Sequence, residues 1–247
     1  MDKSLYVSMT GASATLRAQG AVSQNLANLS TPGFRALLSH TETFKIEGHG
    51  LKSRFDATRA DGGFDDRMGP LLSTGRDTDV ALREGLWMAV ADGEGNEAYT
   101  RAGELSVNQN GLLTTASGRQ VLGENGPIAL PPYSKLEIAG DGSISIVPLG
   151  QGAETQAIVA RIKVVQAPGA ELNRGEDGLF RRADGEPAAQ VGGAVLMTGV
   201  IESSNVNAAD NLVKMIELAR SFEMQVRSIK TADENARASN SLLRLSG

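Results

Sequence analysis

The chain has no cysteine, so disulfides and thiolate sites are both excluded. Aromatic residues make up only 4%, which leaves any core to Leu, Val, Ile and Ala packed between turns supplied by 29 glycines. No run of 18 or more apolar residues is present for a membrane span, and membrane insertion is not expected. The N-terminus lacks the basic region, apolar stretch and cleavage site of a secretory signal, so any exit from the cytoplasm is expected to use another route. A formal charge of −5 gives no general attraction to nucleic-acid phosphates or an anionic membrane surface. That charge is uneven: residues 1–30 and 205–247 each sum to +1, which leaves −7 for the middle. At 247 residues the chain is long enough for one large domain or two modest ones.

What is present begins with apolar periodicity at both ends. Leu5, Met9, Ala12 and Leu16, then Val22, Leu26 and Leu29, recur at spacings of four and three, with polar Gln19 between the two runs. This is the stripe of an amphipathic helix suited to a partner helix. Gly11 and Gly20 weaken it, each by about 1 kcal/mol relative to Ala, so the helix is expected to need its partner. Pro32 lacks an N–H and disfavours helical geometry at Thr31, while Gly33 permits a positive φ, so the helix must stop near residue 30. A second stripe runs from residue 208 through Leu212, Met215, Ile216, Ala219, Phe222, Val226 and Ile229. Asn205, Asn207 or Asp210 could cap its first turn. About 38 residues would form a rod of roughly 57 Å.

Between these ends the period changes to two. Strands are predicted near 86–91, 97–101, 104–108, 112–115, 120–122, 135–139, 143–147, 158–166 and 194–201, separated by glycine turns. Asn110-Gly111 suits a type I′ hairpin. Residues 35–78, mixing Gly, Pro and charge with isolated apolar residues, are predicted to form an extended connector with at most one short hairpin.

Motifs that could carry chemistry are weak. Gly93-Glu94-Gly95-Asn96-Glu97-Ala98 follows an apolar run as a dinucleotide fingerprint would, but a strand rather than a helix is expected after it, and two glutamates would repel a pyrophosphate. Asp92 to Glu97 resembles part of a calcium loop, yet Gly103 stands where the bidentate Glu should be. Asp61, Asp65 and Asp66 read as solvated acids. His40 and His49 have only Glu42 and Glu47 nearby, too little for a zinc site, and no G-x-S-x-G elbow is present. No catalytic residue, cofactor or metal is expected, and the chain is not expected to be an enzyme. Trp87 is predicted to be a packed core residue.

Three separated motifs resemble the bacterial flagellar rod and hook family. They are Asn25-Leu26-Ala27-Asn28 with Thr31-Pro32-Gly33-Phe34-Arg35; Tyr99-Thr100-Arg101-Ala102-Gly103-Glu104-Leu105; and Ser203-Ser204-Asn205-Val206 leading into 215–223. The start MDKSLYVSMTGA, residues 130–138 and the length look most like the proximal rod subunit of that family, with the distal rod subunit as the close competitor. Thr78-Asp79-Val80-Ala81-Leu82 departs from the family's more usual Leu-Asp-Val-Ala-Ile. A soluble β-domain binding module is the alternative class.

The expectation is therefore an α+β fold. Helices within 1–34 and 205–247 pair as a coiled coil, 35–78 connects, and 79–204 forms a mostly antiparallel β domain. The resemblance implies a structural subunit of the periplasm-spanning rod, exported through the flagellar type III apparatus. It would polymerise with copies of itself and other rod proteins. The expected assembly interface is Leu5, Met9, Leu16, Val22, Leu26, Asn28 and Phe34 with Leu212, Ile216, Ala219, Phe222, Val226 and Ile229.

Overall fold

A computed structural model describes the backbone over residues 3–45 and 55–245, with side chains over 7–39 and most of 63–241. The fold is α+β and divides into two compact units. One gathers the described residues of 1–27, 37–63 and 207–247, the other residues 28–36 and 64–206.

The first unit holds helix α1 (Lys3–Ala27), strands β1 (Leu37–Lys45) and β2 (Phe55–Phe64), and helix α2 (Ala208–Leu245). Asn25, only 4% exposed, accepts from Leu37 N at 2.8 Å and donates to Leu37 O at 3.0 Å. Its amide thus pairs with the start of β1 as a neighbouring strand would. β1 and β2 form a two-stranded sheet, longer than the short hairpin expected within 35–78.

The buried face of α1 differs from the stripe that periodicity suggested. Ala12, Thr15, Ala18, Ala21, Val22 and Asn25 are buried, whereas Met9 and Leu16 are 52% and 50% exposed. The reason is close approach to α2. A Cβ on Gly11 would lie 3.2 Å from Gln225 Nε2, the Gln225 amide donates to Thr15 Oγ1 at 3.2 Å, and Ser8 and Ser228 hydroxyls are 3.2 Å apart. Small side chains let helix axes approach, while Met and Leu in the seam would hold them apart.

α2 runs for 38 residues. Of the three candidate caps Asn207 serves, its Oδ1 accepting from Ala209 N at 3.0 Å and Asp210 N at 3.3 Å. Leu212, Val213, Ile216 and Met224 are all more than half exposed.

The second unit contains β3 (Leu71–Ser73), β4 (Val80–Leu82), β5 (Leu86–Ala91), β6 (Glu97–Thr100), β7 (Leu105–Val107), β8 (Leu113–Thr115), β9 (Leu122–Gly123) and β10 (Gly126–Pro127). It continues with β11 (Tyr133–Ile138), β12 (Ser143–Pro148), β13 (Ala157–Arg161), β14 (Val164–Gln166), β15 (Leu172–Arg174), β16 (Phe180–Arg182), β17 (Leu196–Thr198) and β18 (Val200–Glu202). A five-stranded sheet has the order β14-β5-β6-β16-β15 and a three-stranded sheet the order β11-β12-β13. Pairs β17–β4, β18–β3, β7–β8 and β9–β10 complete it, all antiparallel.

Both faces of β5 are covered. Met88 and Val90 join Val80, Leu113 and Ile144 in one cluster, and Trp87 and Ala89 join Tyr99, Val165 and Phe180 in the other. Trp87 is fully buried, its Nε1 donating to Ala167 O at 3.0 Å and its ring 4.6 Å from that of Phe180. Burying such a side chain contributes about 3 kcal/mol.

Three local expectations change. The strand expected over 158–166 divides into β13 and β14, and that over 194–201 divides at Gly199, which has φ +71°. At Asn110-Gly111 only Gly111 has positive φ, and its N donates to Asn108 O at 3.0 Å. A type I′ turn needs positive φ at both central residues, so this is a type I turn closed by a glycine bulge. The Asn108 carboxamide holds it by accepting from Asn110 N and Leu112 N.

Candidate functional site

The chemistry of the second unit concentrates where residues 28–36 and 200–206 enter it. Gly33 has φ +70°, and a Cβ there would lie 2.3 Å from the Arg101 carbonyl carbon, so glycine is required both for the turn and for the fit. Its N donates to Glu202 O at 2.8 Å. The next residues turn inward: Phe34 is 5% exposed and Arg35 only 1%.

Arg35 meets Glu202 and Arg101, of which Glu202 is 0% and Arg101 1% exposed. Arg35 Nη1 donates to Glu202 Oε1. Arg101 Nε and Nη2 reach Glu202 Oε2 at 2.8 and 2.7 Å, and Gly69 N donates to Oε1 at 2.8 Å. Arg101 also donates to Leu86 O at 2.5 Å, Leu82 O at 2.9 Å and Arg83 O at 3.2 Å. Burial pushes the Arg101 guanidinium down from its ordinary range while the Glu202 carboxylate opposes the shift. One carboxylate therefore serves two cations inside the unit.

Asn205 adds a second tie. Its Oδ1 accepts from Ala36 N at 2.7 Å, and its Nδ2 donates to Asp65 O and Arg67 O, each at 2.9 Å. The arrangement fastens the first motif, the β domain and the last motif together through side chains. Arg35 and Arg101 are visible in the sequence motifs, but nothing local marks Glu202 as their partner, since 167 positions separate it from Arg35.

The expected interface residues fall in different places. Met9, Leu16, Leu212 and Ile216 lie on the surface of the first unit, Val22 is buried there, and Leu26, Ala219, Phe222, Val226 and Ile229 are partly buried there. The Leu5 side chain lies outside the described residues. Asn28 and Phe34 belong to the second unit. Asn28 Oδ1 accepts from the Thr31 hydroxyl at 3.0 Å, and the Arg174 guanidinium sits 4.6 Å from the centre of the Phe34 ring. Neither residue belongs to a helix face.

The remaining motifs resolve into turns. Gly93 to Ala98 joins β5 to β6, and no helix follows. Asp92 accepts from Glu94 N and Asn96 N and pairs with Arg181 at 3.0 Å. The Arg181 hydrogen bond holds the Asp92 carboxyl down to about 2. Asp65 pairs with Arg67 at 2.6 Å. The side chains of Asp61, His40 and His49 lie outside the described residues. Among the described residues no group of three His, Asp or Glu side chains is placed to hold a metal, and no helix is long and apolar enough to cross a membrane.

The two terminal motifs are tied into one β domain, and three flagellar family descriptions match in order along the chain. Residues 5–35 match the flagella basal body rod protein family, 85–146 the flagellar hook protein FlgE/F/G D1 domain, and 197–242 the flagellar basal body rod FlgEFG protein C-terminal region. The flagellar basal-body rod protein FlgF of Escherichia coli K12 is 43% identical over the full length of both chains, and FlgF of Salmonella typhimurium LT2 is 42% identical with the same coverage. FlgG of Buchnera aphidicola from Acyrthosiphon pisum is 35% identical, covering 95% of this chain and 97% of its own. The chain belongs to the flagellar basal-body rod protein family.

Proposed function

We propose that this chain is a structural subunit of the flagellar proximal rod, in the manner of FlgF. The 43% and 42% identity to the Escherichia coli and Salmonella FlgF chains, against 35% to the FlgG relative, favours the proximal over the distal position. In this reading the segments 1–34 and 205–247 pair as a coiled coil and polymerise helically around the export channel. The connector 35–78 bridges adjacent subunits, and the β domain 79–204 faces outward. The subunit leaves the cell through the flagellar type III apparatus and assembles in the periplasm with copies of itself and other rod proteins. It performs no catalysis.

One observation carries this reading. Met9 and Leu16 on α1, and Leu212, Val213, Ile216 and Met224 on α2, are 50–64% exposed in the single chain. Burial against a neighbour would remove that apolar surface from water at about 25 cal/mol per Å². The interface residues are those at helix positions: Leu5, Met9, Leu16, Val22, Leu26, Leu212, Ile216, Ala219, Phe222, Val226 and Ile229. Phe34 and Asn28 contribute by shaping the exit from α1.

The test uses Leu16→Asp and Ile216→Asp in the full chain, expressed in a strain lacking the native subunit. Both positions are exposed, so the purified variants are expected to keep the parent's Tm and helical content. They are also expected to be missing from isolated basal bodies and to give non-motile cells. Normal incorporation of both variants would refute the reading.

A further inference from the structure

α1 carries two faces able to meet another helix. Ser8, Gly11, Thr15, Ala18, Val22 and Asn25 recur at spacings of three and four and are buried or half-buried, whereas Met9 and Leu16 are half exposed. Met9 and Leu16 each follow a residue of that seam by one position, which places them about 100° further round the helix. α2 repeats the pattern, with Leu212 and Ile216 exposed one position after Asn211, which is buried, and Met215, which is half-buried. In each helix an apolar stripe thus lies outside the face that packs within the unit.

Hydrophobicity alone favours the opposite choice, since a seam of Met9 and Leu16 against Leu212 and Ile216 would take more apolar area out of water than one containing Ser, Gly and Thr. What opposes it is polar. Thr15, which is buried, donates from its hydroxyl to Gly11 O at 2.9 Å and accepts from Gln225 Nε2 at 3.2 Å. A Cβ on Gly11 would stand 3.2 Å from the same Gln225 nitrogen, so the missing side chain is the clearance the amide occupies. The Ser8 and Ser228 hydroxyls, 3.2 Å apart, extend the contact along the pair. Rotating α1 by one residue's angle breaks the Thr15–Gln225 bond.

A single polar pair in a helix seam fixes its register at some cost in stability. We infer that Thr15 and Gln225 are the specificity-determining residues of the helix pair: their hydrogen bond, with Gly11 as its clearance, holds both helices in the rotation that keeps the apolar stripes turned outward. This inference rests on the polymer reading above for what the stripes meet, and on the seam for why they are displayed.

The experiment uses the absence of cysteine. Ser23 is exposed and lies seven residues after Leu16, on the same stripe, so Ser23→Cys gives the full chain one thiol that reports which way the stripe faces. In that background Thr15→Val with Gln225→Leu is compared with the parent and with Thr15→Ser. The apolar pair is expected to keep or raise the Tm, while a maleimide reacts with the thiol about tenfold more slowly, the population change that one hydrogen bond decides. Its recovery with purified basal bodies should fall by a similar factor. Gln225→Ala, which removes the amide without adding bulk, should slow labelling in the same direction and serves if the paired variant does not fold. Thr15→Ser, which keeps the hydroxyl, should label and incorporate as the parent does. Parental labelling of the apolar pair overturns the inference, as does a lowered Tm with the thiol still reactive, which makes the seam structural only. Slow labelling of Thr15→Ser also overturns it, by placing the effect in the methyl group. Labelling is read on the purified single chain and so stands apart from the rod reading, which fails if Leu16→Asp and Ile216→Asp both incorporate normally.

Discussion

In the β-rich unit Arg35, Arg101 and Glu202 are at most 1% exposed, while in the helical unit Met9, Leu16, Leu212 and Ile216 are at least 50% exposed. The first arrangement places charge where water is absent; the second leaves hydrocarbon where water is plentiful. A unit that buries three ionised groups and still packs Trp87, Met88 and Val90 completely has finished its own core. A unit whose helices meet through Gly11, Thr15 and Gln225, with larger apolar side chains outside, has not. The contrast separates a domain whose core is closed from a unit that leaves apolar helix surface exposed in the single chain.

The sharpest way to break that contrast is Glu202→Ala. It leaves Arg35 and Arg101 buried without their carboxylate, which should destabilise the β-rich unit by about 3–5 kcal/mol. Chemical denaturation followed by Trp87 fluorescence measures the loss. An unchanged midpoint would mean the charges are not the fastening they are taken for. Gly33→Ala comes next, forcing a Cβ into a left-handed position against the Arg101 backbone. It should cost roughly 1–3 kcal/mol by the same assay.

A smaller effect concerns pH. The Asp92 carboxyl is held at about 2 by Arg181, below the ordinary value of about 3.9 of an unfolded chain. Its contribution is therefore complete above the unfolded value and is lost as pH falls from about 5 through 2. Asp92→Asn should lower the plateau near neutrality and leave the acid end unchanged, so that the acid limb of the β-rich unit's stability flattens over that window. A parent and variant with parallel acid limbs would remove Asp92 from the account. Smallest of all is Met224→Gln on α2, expected to shift monomer stability by no more than about 0.5 kcal/mol. A larger fall would show that the exposed helix face is already packed in the single chain.

How much of this was legible beforehand depended on whether the signal was local. Pro32-Gly33 ends α1 by backbone chemistry, and the alternation around Trp87 gives β5, so both could be read directly. The 38-residue α2 was legible because its apolar period persists over many turns. The buried face of α1 was legible only at Ala12 and Val22; the same periodicity singles out Met9 and Leu16, which are exposed, and passes over Thr15 and Ala18, which close helix approach selects. The I′ assignment failed because Asn108 supplies side-chain hydrogen bonds that favour a different turn. The Arg35–Glu202 contact joins residues a whole domain apart, and no window along the chain brings them together.

The single carboxamide of Asn205 has a mechanical consequence. Because it is bonded to backbone at residue 36 and at residues 65 and 67, tension entering along the chain at that point is shared with two separate stretches of polypeptide. In a rotating shaft, such sharing spares any one strand from carrying the whole twist.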